Sequence, residues 1–177
     1  MSKNSFEPNP FVKRLKDVGY DDIGQVGGKS ASLGEMLRGL SSAGVRVPDG
    51  FSTTVDAYHC FIKENNLEER IGSILRQYRG RQLKLRQAGK GVRDLIFKSG
   101  FPEKVATAIR SAYRHLCAQY EEDSLAVAVR SSATSEDQPG ASFAGMLDTY
   151  LNIQGETDLL LACRRCLASL FTDRAIR

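Results

Sequence analysis

Two short segments of this 177-residue chain each combine one positive charge with glycine or hydroxyl-bearing residues. They are Val26-Gly27-Gly28-Lys29-Ser30 and Val129-Arg130-Ser131-Ser132-Ala133-Thr134. Glycine lets the backbone come close to an anion, free N–H groups donate hydrogen bonds, and the arginine fork matches phosphate oxygens. The two segments therefore predict a site for a polyphosphate such as a nucleotide.

A P-loop is the simplest generic explanation for the first segment. Its pattern requires a glycine five positions before the final Gly-Lys-Ser, but Ile23 occupies that position and Gly24 lies one residue out of register. Residues 17–23 are also too polar for the strand, buried on both faces, that precedes a P-loop. The sequence favours a different phosphate-binding scheme.

A third segment supplies such a scheme. The apolar run Leu125–Val129 predicts a buried strand with Arg130 at its end, followed by residues 131–142, which are rich in Ser, Thr, Gly and Pro. Residues 140–153 then pass from a glycine-containing loop into an alternating, strand-like stretch. The sequence thus predicts a hairpin whose tip can close over phosphates.

Five blocks of this sequence, in order, resemble the N-terminal nucleotide-binding region of the phosphoenolpyruvate synthases. They lie at residues 27–36, 47–51, 129–134, 141–145 and 168–176. The wider dikinase family includes pyruvate phosphate dikinase and rifamycin phosphotransferase. The resemblance implies that ATP is cleaved, that its β-phosphoryl group passes to a histidine, and that pyruvate is then converted to phosphoenolpyruvate with release of AMP and phosphate.

The same resemblance implies roles for particular residues. Lys29 and Arg130 are expected to contact the ATP phosphates, and the wrapping loop is assigned to the backbone around Gly145, Met146 and Leu147. Weaker candidates are Ser131 and the acidic residues Glu136 and Asp137. Because phosphoryl transfer depends mainly on positioning and on neutralising phosphate oxygens, cations and backbone amides suit the task.

The expected fold is α+β: the N-terminal portion of an ATP-grasp-like domain, with a mostly antiparallel sheet and an inserted helical bundle. The resemblance implies a polar N-terminal segment at residues 1–14 and a nucleotide-binding domain at residues 15–177, which we expect to be truncated at its C-terminal end. The resemblance puts the Mg²⁺ ligands, the phosphohistidine domain and the acceptor domain beyond residue 177, in missing sequence or in a separate chain. We expect Mg²⁺ and ATP as cofactors, pyruvate as a partner through absent domains, and no catalytic or metal-ligating residue in this chain.

The identity of the phosphoryl acceptor stays open. Synthases usually have glutamine after the Ala-Gly of the phosphate loop, whereas this chain has Met146-Leu147, as in pyruvate phosphate dikinase. A rifamycin-type phosphotransferase and a pyruvate phosphate dikinase relative are therefore alternatives. Neither His59 nor His115 lies in a context that resembles the phosphohistidine segment, so the chain alone is expected to be inactive.

Apolar spacing predicts most of the helices. They are expected at residues 30–40, 67–78, 83–98 and 157–168, with one more that begins at Pro102. A further helix is expected to begin with a capping box of Thr53 and Asp56 and to end at Glu64. A short strand is expected near Val45. Lys29 then falls at or just before a helix N-terminus, where amide dipoles attract anions.

Composition sets broad limits on localisation and on cysteine chemistry. There is no run of eighteen apolar residues, and Met1–Pro10 is too polar for a signal peptide, so a cytoplasmic protein without membrane contact is expected. Cys163 and Cys166 have the spacing of a redox or zinc half-site, but it is the only such pair among four cysteines. We interpret Cys163 as an inward-facing core residue and expect reduced thiols.

A basic stretch gives an alternative of another class, a non-catalytic nucleotide- or nucleic-acid-binding fragment. Eight Lys and Arg residues lie between residues 76 and 98 against the single acid Asp94. However, the whole chain carries only +4, and no aromatic stacking platform accompanies the stretch. A solvated or docking face is therefore favoured over a nucleic-acid site.

Overall fold

The computed structural model describes residues 9–40, 43–133 and 148–176. In chain order its elements are β1 (Val12–Arg14), two 3₁₀ turns (Leu15–Asp17 and Tyr20–Asp22), α1 (Ile23–Val26), α2 (Gly28–Leu40), β2 (Phe51–Thr53), α3 (Val55–Glu64), α4 (Leu67–Arg79), α5 (Leu85–Lys98), α6 (Glu103–Gln119), β3 (Val127–Arg130), β4 (Thr149–Ile153), α7 (Glu156–Ser169) and α8 (Asp173–Ile176). The helices at 67–78, 83–98 and 157–168 and the helix after Pro102 are confirmed within two residues of their predicted starts.

The chain divides into two units. The described residues of the first fall within Met1–Tyr58, Glu103–Leu125 and Ser132–Ser142, and those of the second within His59–Pro102, Ala126–Ser131 and Phe143–Arg177. Each unit contains one antiparallel strand pair, β1 with β2 in the first and β3 with β4 in the second. The predicted α+β class with antiparallel strands is therefore confirmed.

In the first unit, α2 packs against the backbone of residues 15–18. Gly34 makes the close approach possible, because a Cβ there would lie 2.1 Å from the carbonyl oxygen of Val18 and 2.6 Å from that of Leu15. Arg38 Nη1 donates to the same Val18 oxygen at 2.6 Å. Leu15, Val18, Val26 and Ala31 form the buried cluster beneath. These contacts fix the axis of α2 and hence the place of its N-terminus.

The second unit has a larger apolar core. Its buried members come from α3, α4, α5 and α7 and are Phe61, Leu67, Ile71, Val92, Ile96 and Ala168. The ring of Phe61 lies 5.3 Å, centroid to centroid, from that of Phe101. Arg164 of α7 donates to the carbonyl oxygen of Ser99 at 2.9 Å, which ties α7 to the end of α5. No helix within the described ranges is long and apolar enough to cross a membrane.

Part of the predicted N-terminal segment, residues 1–14, pairs with the rest of the first unit. Within residues 1–14, the part from residue 9 onward is described, and Val12 of β1 is buried and pairs with Thr53 of β2. The side chain of Lys13 contacts Asp22 in the following turn. Residues 9–14 are thus part of the first unit.

The predicted strand near Val45 is wrong. Val45 is exposed, and the first strand in this region, β2, begins only at Phe51. Pro48 lacks the N–H that a strand ladder needs, so pairing starts after Pro48-Asp49-Gly50. The Gly50 carbonyl instead accepts a hydrogen bond from the amide of Leu15 at 2.9 Å.

The predicted capping box of Thr53 and Asp56 is also displaced by one residue. Thr54 precedes α3, and its Oγ1 accepts a hydrogen bond from the amide of Ala57 at 3.3 Å and donates one to the carbonyl oxygen of Pro10 at 2.6 Å. Thr53 belongs to β2, where it pairs with Val12. The cap therefore also joins α3 to the start of the first unit.

The run Leu125–Val129 is less buried than its composition predicts. In β3, Val127 and Val129 are half-buried, whereas Ala128 and Arg130 are exposed. This alternation is that of an antiparallel strand covered on one face. The strand prediction is confirmed and the prediction of a buried strand is wrong, because an apolar composition does not show how many faces of a strand are covered.

Asp22 stabilises the 3₁₀ turn Tyr20–Asp22, which precedes α1 and α2. Its Oδ1 lies 2.8 Å from Lys13 Nζ, and its Oδ2 accepts a hydrogen bond from the amide of Gly19 at 3.1 Å. Contact with Lys13, followed by the Gly19 amide, holds the pKa of Asp22 below its ordinary value of 3.8. The charged carboxylate therefore stabilises the fold above that pH, and the stabilisation is lost as the pH falls through the lowered pKa.

We expect Asp22→Asn to lower the free energy of unfolding by about 1 kcal/mol at neutral pH and by nothing in strong acid. Urea unfolding across the acid range measures the difference. Asp17→Asn, which removes the exposed partner of Arg14, is the control and should cost less. A loss that persists unchanged in strong acid would contradict the assignment.

Candidate nucleotide-binding site

The first candidate segment lies at the junction of α1 and α2. The amide of Gly27 donates to Ile23 at 2.8 Å and closes α1, while its carbonyl accepts from Ala31 at 3.1 Å and opens α2. Gly27 has a φ of 77°, which places it in the region that favours glycine. Lys29 is the second residue of α2 and is half-buried. The prediction that Lys29 lies at a helix N-terminus is confirmed.

Ser132 brings the second candidate segment to this helix N-terminus. Its Oγ accepts a hydrogen bond from the amide of Ser30 at 3.1 Å, although the two residues are 102 positions apart. A Cβ on Gly27 would lie 2.3 Å from the carbonyl oxygen of Ser132 and 2.5 Å from its Oγ. The two segments that the sequence singled out are therefore in direct contact within the first unit.

The first turn of α2 is also tied to the strand pair. Ser30 Oγ donates to Ser52 Oγ at 2.9 Å, and Ser52 Oγ donates to the carbonyl oxygen of Thr53 at 3.1 Å. Ser30 is buried, so its hydroxyl is held in this chain of hydrogen bonds. The Ser of the Gly-Lys-Ser sequence thus has a structural partner, which the sequence did not indicate.

Arg130 lies in the second unit, at the end of β3. It pairs in register with Thr149 of β4 and is exposed. Ser131, the next residue, is buried. The remaining candidates, Glu136, Asp137, Gly145, Met146 and Leu147, lie outside the described residues, so their roles stay predictions.

Asp148 is a further candidate that sequence reasoning missed. It directly follows Leu147, and its Oδ2 accepts a hydrogen bond from Tyr150 Oη at 2.9 Å. Alternating polar and apolar residues indicated the strand but gave no sign of this contact. Ser132 was likewise recognised only as a hydroxyl-bearing residue, because a partner 102 positions away leaves no local signal.

The α2 N-terminus has the chemistry of an anion site. The first amides of a helix have no partner within the helix, and the helix dipole places a partial positive charge there. Ser132 satisfies the third of these amides in α2, and Lys29 adds a full charge. In residues 9–40, 43–133 and 148–176, no three His, Cys, Asp or Glu side chains gather as a possible metal site. This set of groups fits phosphate oxygens better than a bare cation.

The cysteine pair on α7 does not have the properties of a redox centre. Cys166 is buried and Cys163 is half-buried, so Cys166, which the sequence placed only as a neighbour of Cys163, is itself a core residue. Small residues, Ala162 and Ala168, share the buried face with Cys166. Burial raises the pKa of both thiols to about 12. A protonated, buried thiol is a poor nucleophile and a poor metal ligand.

Several basic residues of the stretch 76–98 form ion pairs or hydrogen bonds within the protein. Arg76 contacts Glu69, and Lys90 contacts Asp94. Arg93 Nη1 donates to the carbonyl oxygen of Phe171 at 2.7 Å and lies 3.4 Å from Asp173 Oδ1. These contacts fit the interpretation of the stretch as a solvated helix face.

Comparison with known proteins identifies the family. The family described as pyruvate phosphate dikinase, AMP/ATP-binding domain, matches residues 23–177, and the chain belongs to it. The chain is 48% identical over 167 residues to phosphoenolpyruvate synthase of Aquifex aeolicus and 43% identical over 177 residues to that of Escherichia coli. It is 46% identical over 167 residues to a probable phosphoenolpyruvate synthase of Methanocaldococcus jannaschii. The resemblance predicted from the five sequence blocks is confirmed.

These matches cover nearly all of the chain but a small part of each relative. They include 94%, 99% and 94% of the chain and 20%, 22% and 14% of the Aquifex, Escherichia and Methanocaldococcus proteins. The chain thus spans about a fifth of the length of most of the curated relatives it matches.

Gly27 should be the least replaceable residue of the site. Gly27→Ala forces a Cβ into Ser132 at a positive φ, and we expect it to lower the free energy of unfolding by about 2 kcal/mol. Gly24→Ala is the matched control, since Gly24 lies in α1 with no atom within 4 Å of the added Cβ. Chemical denaturation of both variants measures the difference, and equal stabilities would show that Gly27 and Ser132 do not meet.

The thiols of α7 should be unreactive in the folded chain. With their pKa values raised to about 12, Cys163 and Cys166 remain protonated at pH 8, and we expect a short pulse of N-ethylmaleimide to leave both unlabelled. Peptide mass spectrometry reads the labelling, and the denatured chain is the control for full modification. Rapid labelling of Cys166 in the folded chain would contradict its burial.

Proposed function

We propose that the chain supplies the N-terminal part of an ATP-grasp-type nucleotide-binding domain and binds the phosphates of ATP carried with Mg²⁺. The contact between Ser132 and the N-terminus of α2 is the observation that carries the proposal. It joins the two segments whose residue types suit phosphate. Membership of a family described as an AMP/ATP-binding domain supports ATP as the ligand.

In this proposal each group has a distinct part. Lys29 and Arg130 neutralise phosphate oxygens, and Arg130 does so through its planar fork. The backbone around Gly145, Met146 and Leu147 covers the triphosphate. Ser131, Glu136 and Asp137 are secondary candidates that orient a cation or a hydroxyl. Mg²⁺ supplies charge neutralisation between the phosphates, and its protein ligands are assigned to sequence beyond residue 177.

We assign residues 15–177 to the nucleotide-binding domain, with residues 1–14 as its N-terminal segment. The whole protein is proposed to be a dikinase that converts ATP, pyruvate and water to phosphoenolpyruvate, AMP and phosphate through a phosphohistidine carried outside this chain. The names of the relatives support pyruvate as the acceptor. A rifamycin-type or pyruvate phosphate dikinase reaction remains the alternative, since acceptor residues belong to other domains.

Calorimetric titration of the chain with Mg²⁺-ATP tests the proposal. We expect Lys29→Ala and Arg130→Ala each to weaken binding roughly tenfold or more, because each removes a charge-assisted contact to phosphate. Lys16→Ala and Arg70→Ala are the matched controls, one exposed cation in each unit. They should leave the dissociation constant unchanged.

Circular dichroism establishes that each variant is folded before binding is compared. Inorganic tripolyphosphate and AMP, titrated separately, show whether the phosphates or the nucleoside provide the affinity. A folded chain that binds no ATP, or one that loses equal affinity in the control variants, would refute the proposed phosphate site.

A further inference from the structure

The connection between α4 and α5, in the second unit, gathers positive charge at the surface. Four exposed cations lie there, which we call the basic turn: Arg79, Arg81, Lys84 and Arg86. Within the described residues none of the four forms an ion pair, whereas Arg76 before them contacts Glu69, and Lys90 after them contacts Asp94. In that part of the chain, the charge of the basic turn is therefore uncompensated.

The backbone of Arg81 has a conformation that glycine adopts at lower cost. Its φ is 58°, in the left-handed region. This conformation closes α4, because the amide of Gly80 donates to the carbonyl oxygen of Arg76 at 2.8 Å and that of Gln82 to Gln77 at 2.9 Å. Gly80 itself has a φ of −76° and does not take the left-handed position. An arginine thus lies where its Cβ adds strain to the fold.

Lys84 and Arg86 lie at a helix end that disfavours positive charge. Helix α5 begins at Leu85, so Lys84 directly precedes it and Arg86 is its second residue. The first turn of α5 contains no acidic residue. Because the helix dipole places a partial positive charge there, cations at this end destabilise the helix. Three members of the basic turn therefore reduce the stability of the part of the fold to which they belong.

The residue types of the basic turn fit carboxylates. Three of its four members are arginines, whose planar fork pairs with both oxygens of a carboxylate. Phosphates satisfy the same fork, but single-stranded nucleic acids are bound along a basic groove with aromatic side chains on which bases stack. The basic turn covers only residues 79–86, and the tyrosine next to it, Tyr78, is half-buried. A compact acidic segment therefore fits this surface better than a nucleic acid.

We propose that the basic turn is a docking surface for an acidic segment of a protein partner, whose Asp and Glu side chains pair with its four cations. Charge complementarity supports this partner, because its carboxylates neutralise the cations that disfavour the start of α5. Residues that break local rules without a gain in the free fold are typical of functional positions. The proposal does not depend on ATP binding, since none of the four residues is assigned to the phosphate site.

Fluorescence anisotropy with a labelled oligoglutamate peptide at low salt tests the docking surface. We expect Arg81→Gly to weaken binding roughly fivefold, because it removes one fork. Arg86→Glu should weaken binding roughly tenfold or more, because it also adds a repulsive charge. Arg70→Ala is the matched control, since Arg70 is an exposed arginine earlier on α4, and it should leave the dissociation constant unchanged. Added salt should weaken binding by the wild-type chain.

Chemical denaturation of the same variants separates docking from a structural role. Arg81→Gly removes the left-handed strain, and Arg86→Glu places a favourable charge in the first turn of α5. We therefore expect both substitutions to raise the denaturation midpoint while they weaken peptide binding. A lower midpoint in Arg81→Gly would show that this arginine serves the fold, and it would overturn the proposal.

The binding data can overturn the proposal in other ways. It fails if the folded wild-type chain does not bind the peptide at low salt, or if Arg70→Ala and Arg81→Gly lose equal affinity. It also fails if a single-stranded oligothymidylate of the same length binds more tightly than the peptide and loses affinity in Arg81→Gly, because the surface then serves a nucleic acid.

Discussion

The close approach of Gly27 to Ser132 is the constraint on which the candidate site depends. It requires a residue without a Cβ at a positive φ, and it lets the Ser132 hydroxyl reach the third amide of α2. Without that approach the two phosphate-type segments would lie apart, however suitable their residues. The contact also orients α2, whose middle is held by the packing of Gly34 against the carbonyl oxygen of Val18. Gly27 and Gly34 therefore both fix the position of α2, Gly27 through its contact with Ser132 and Gly34 through its contact with Val18.

The site relies on groups whose positions the backbone determines. Backbone amides at a helix N-terminus cannot rotate away as a long side chain can, so they need little reorganisation to meet an anion. The hydroxyls of Ser30 and Ser52 extend this rigidity by tying the first turn of α2 to β2. Lys29 then adds charge to a frame that is already ordered. Such an arrangement suits an anionic ligand, because the charge of Lys29 and the dipole of α2 act at the same place.

Local patterns predicted what depends on local physics. Apolar spacing gave the starts of α2, α4, α5 and α7 within about two residues. Contacts over long sequence distances were not predictable, as Ser30 with Ser132 shows. The strand near Val45 failed because Pro48 interrupts pairing. On α7 the predicted inward residue Leu159 is buried, but the small buried residues Ala162 and Ala168 were not predicted, because small residues carry a weak apolar signal.

The strand pair of β3 and β4 meets helix α7 at Asp148. The side chain of Asp148 accepts a hydrogen bond from Tyr150 of β4, and its carbonyl oxygen accepts one from Cys166 of α7. Arg130 pairs with Thr149, the residue that follows Asp148. Arg130 and Asp148 therefore lie at the same end of this strand pair, and a change in its register would alter which residues face Arg130.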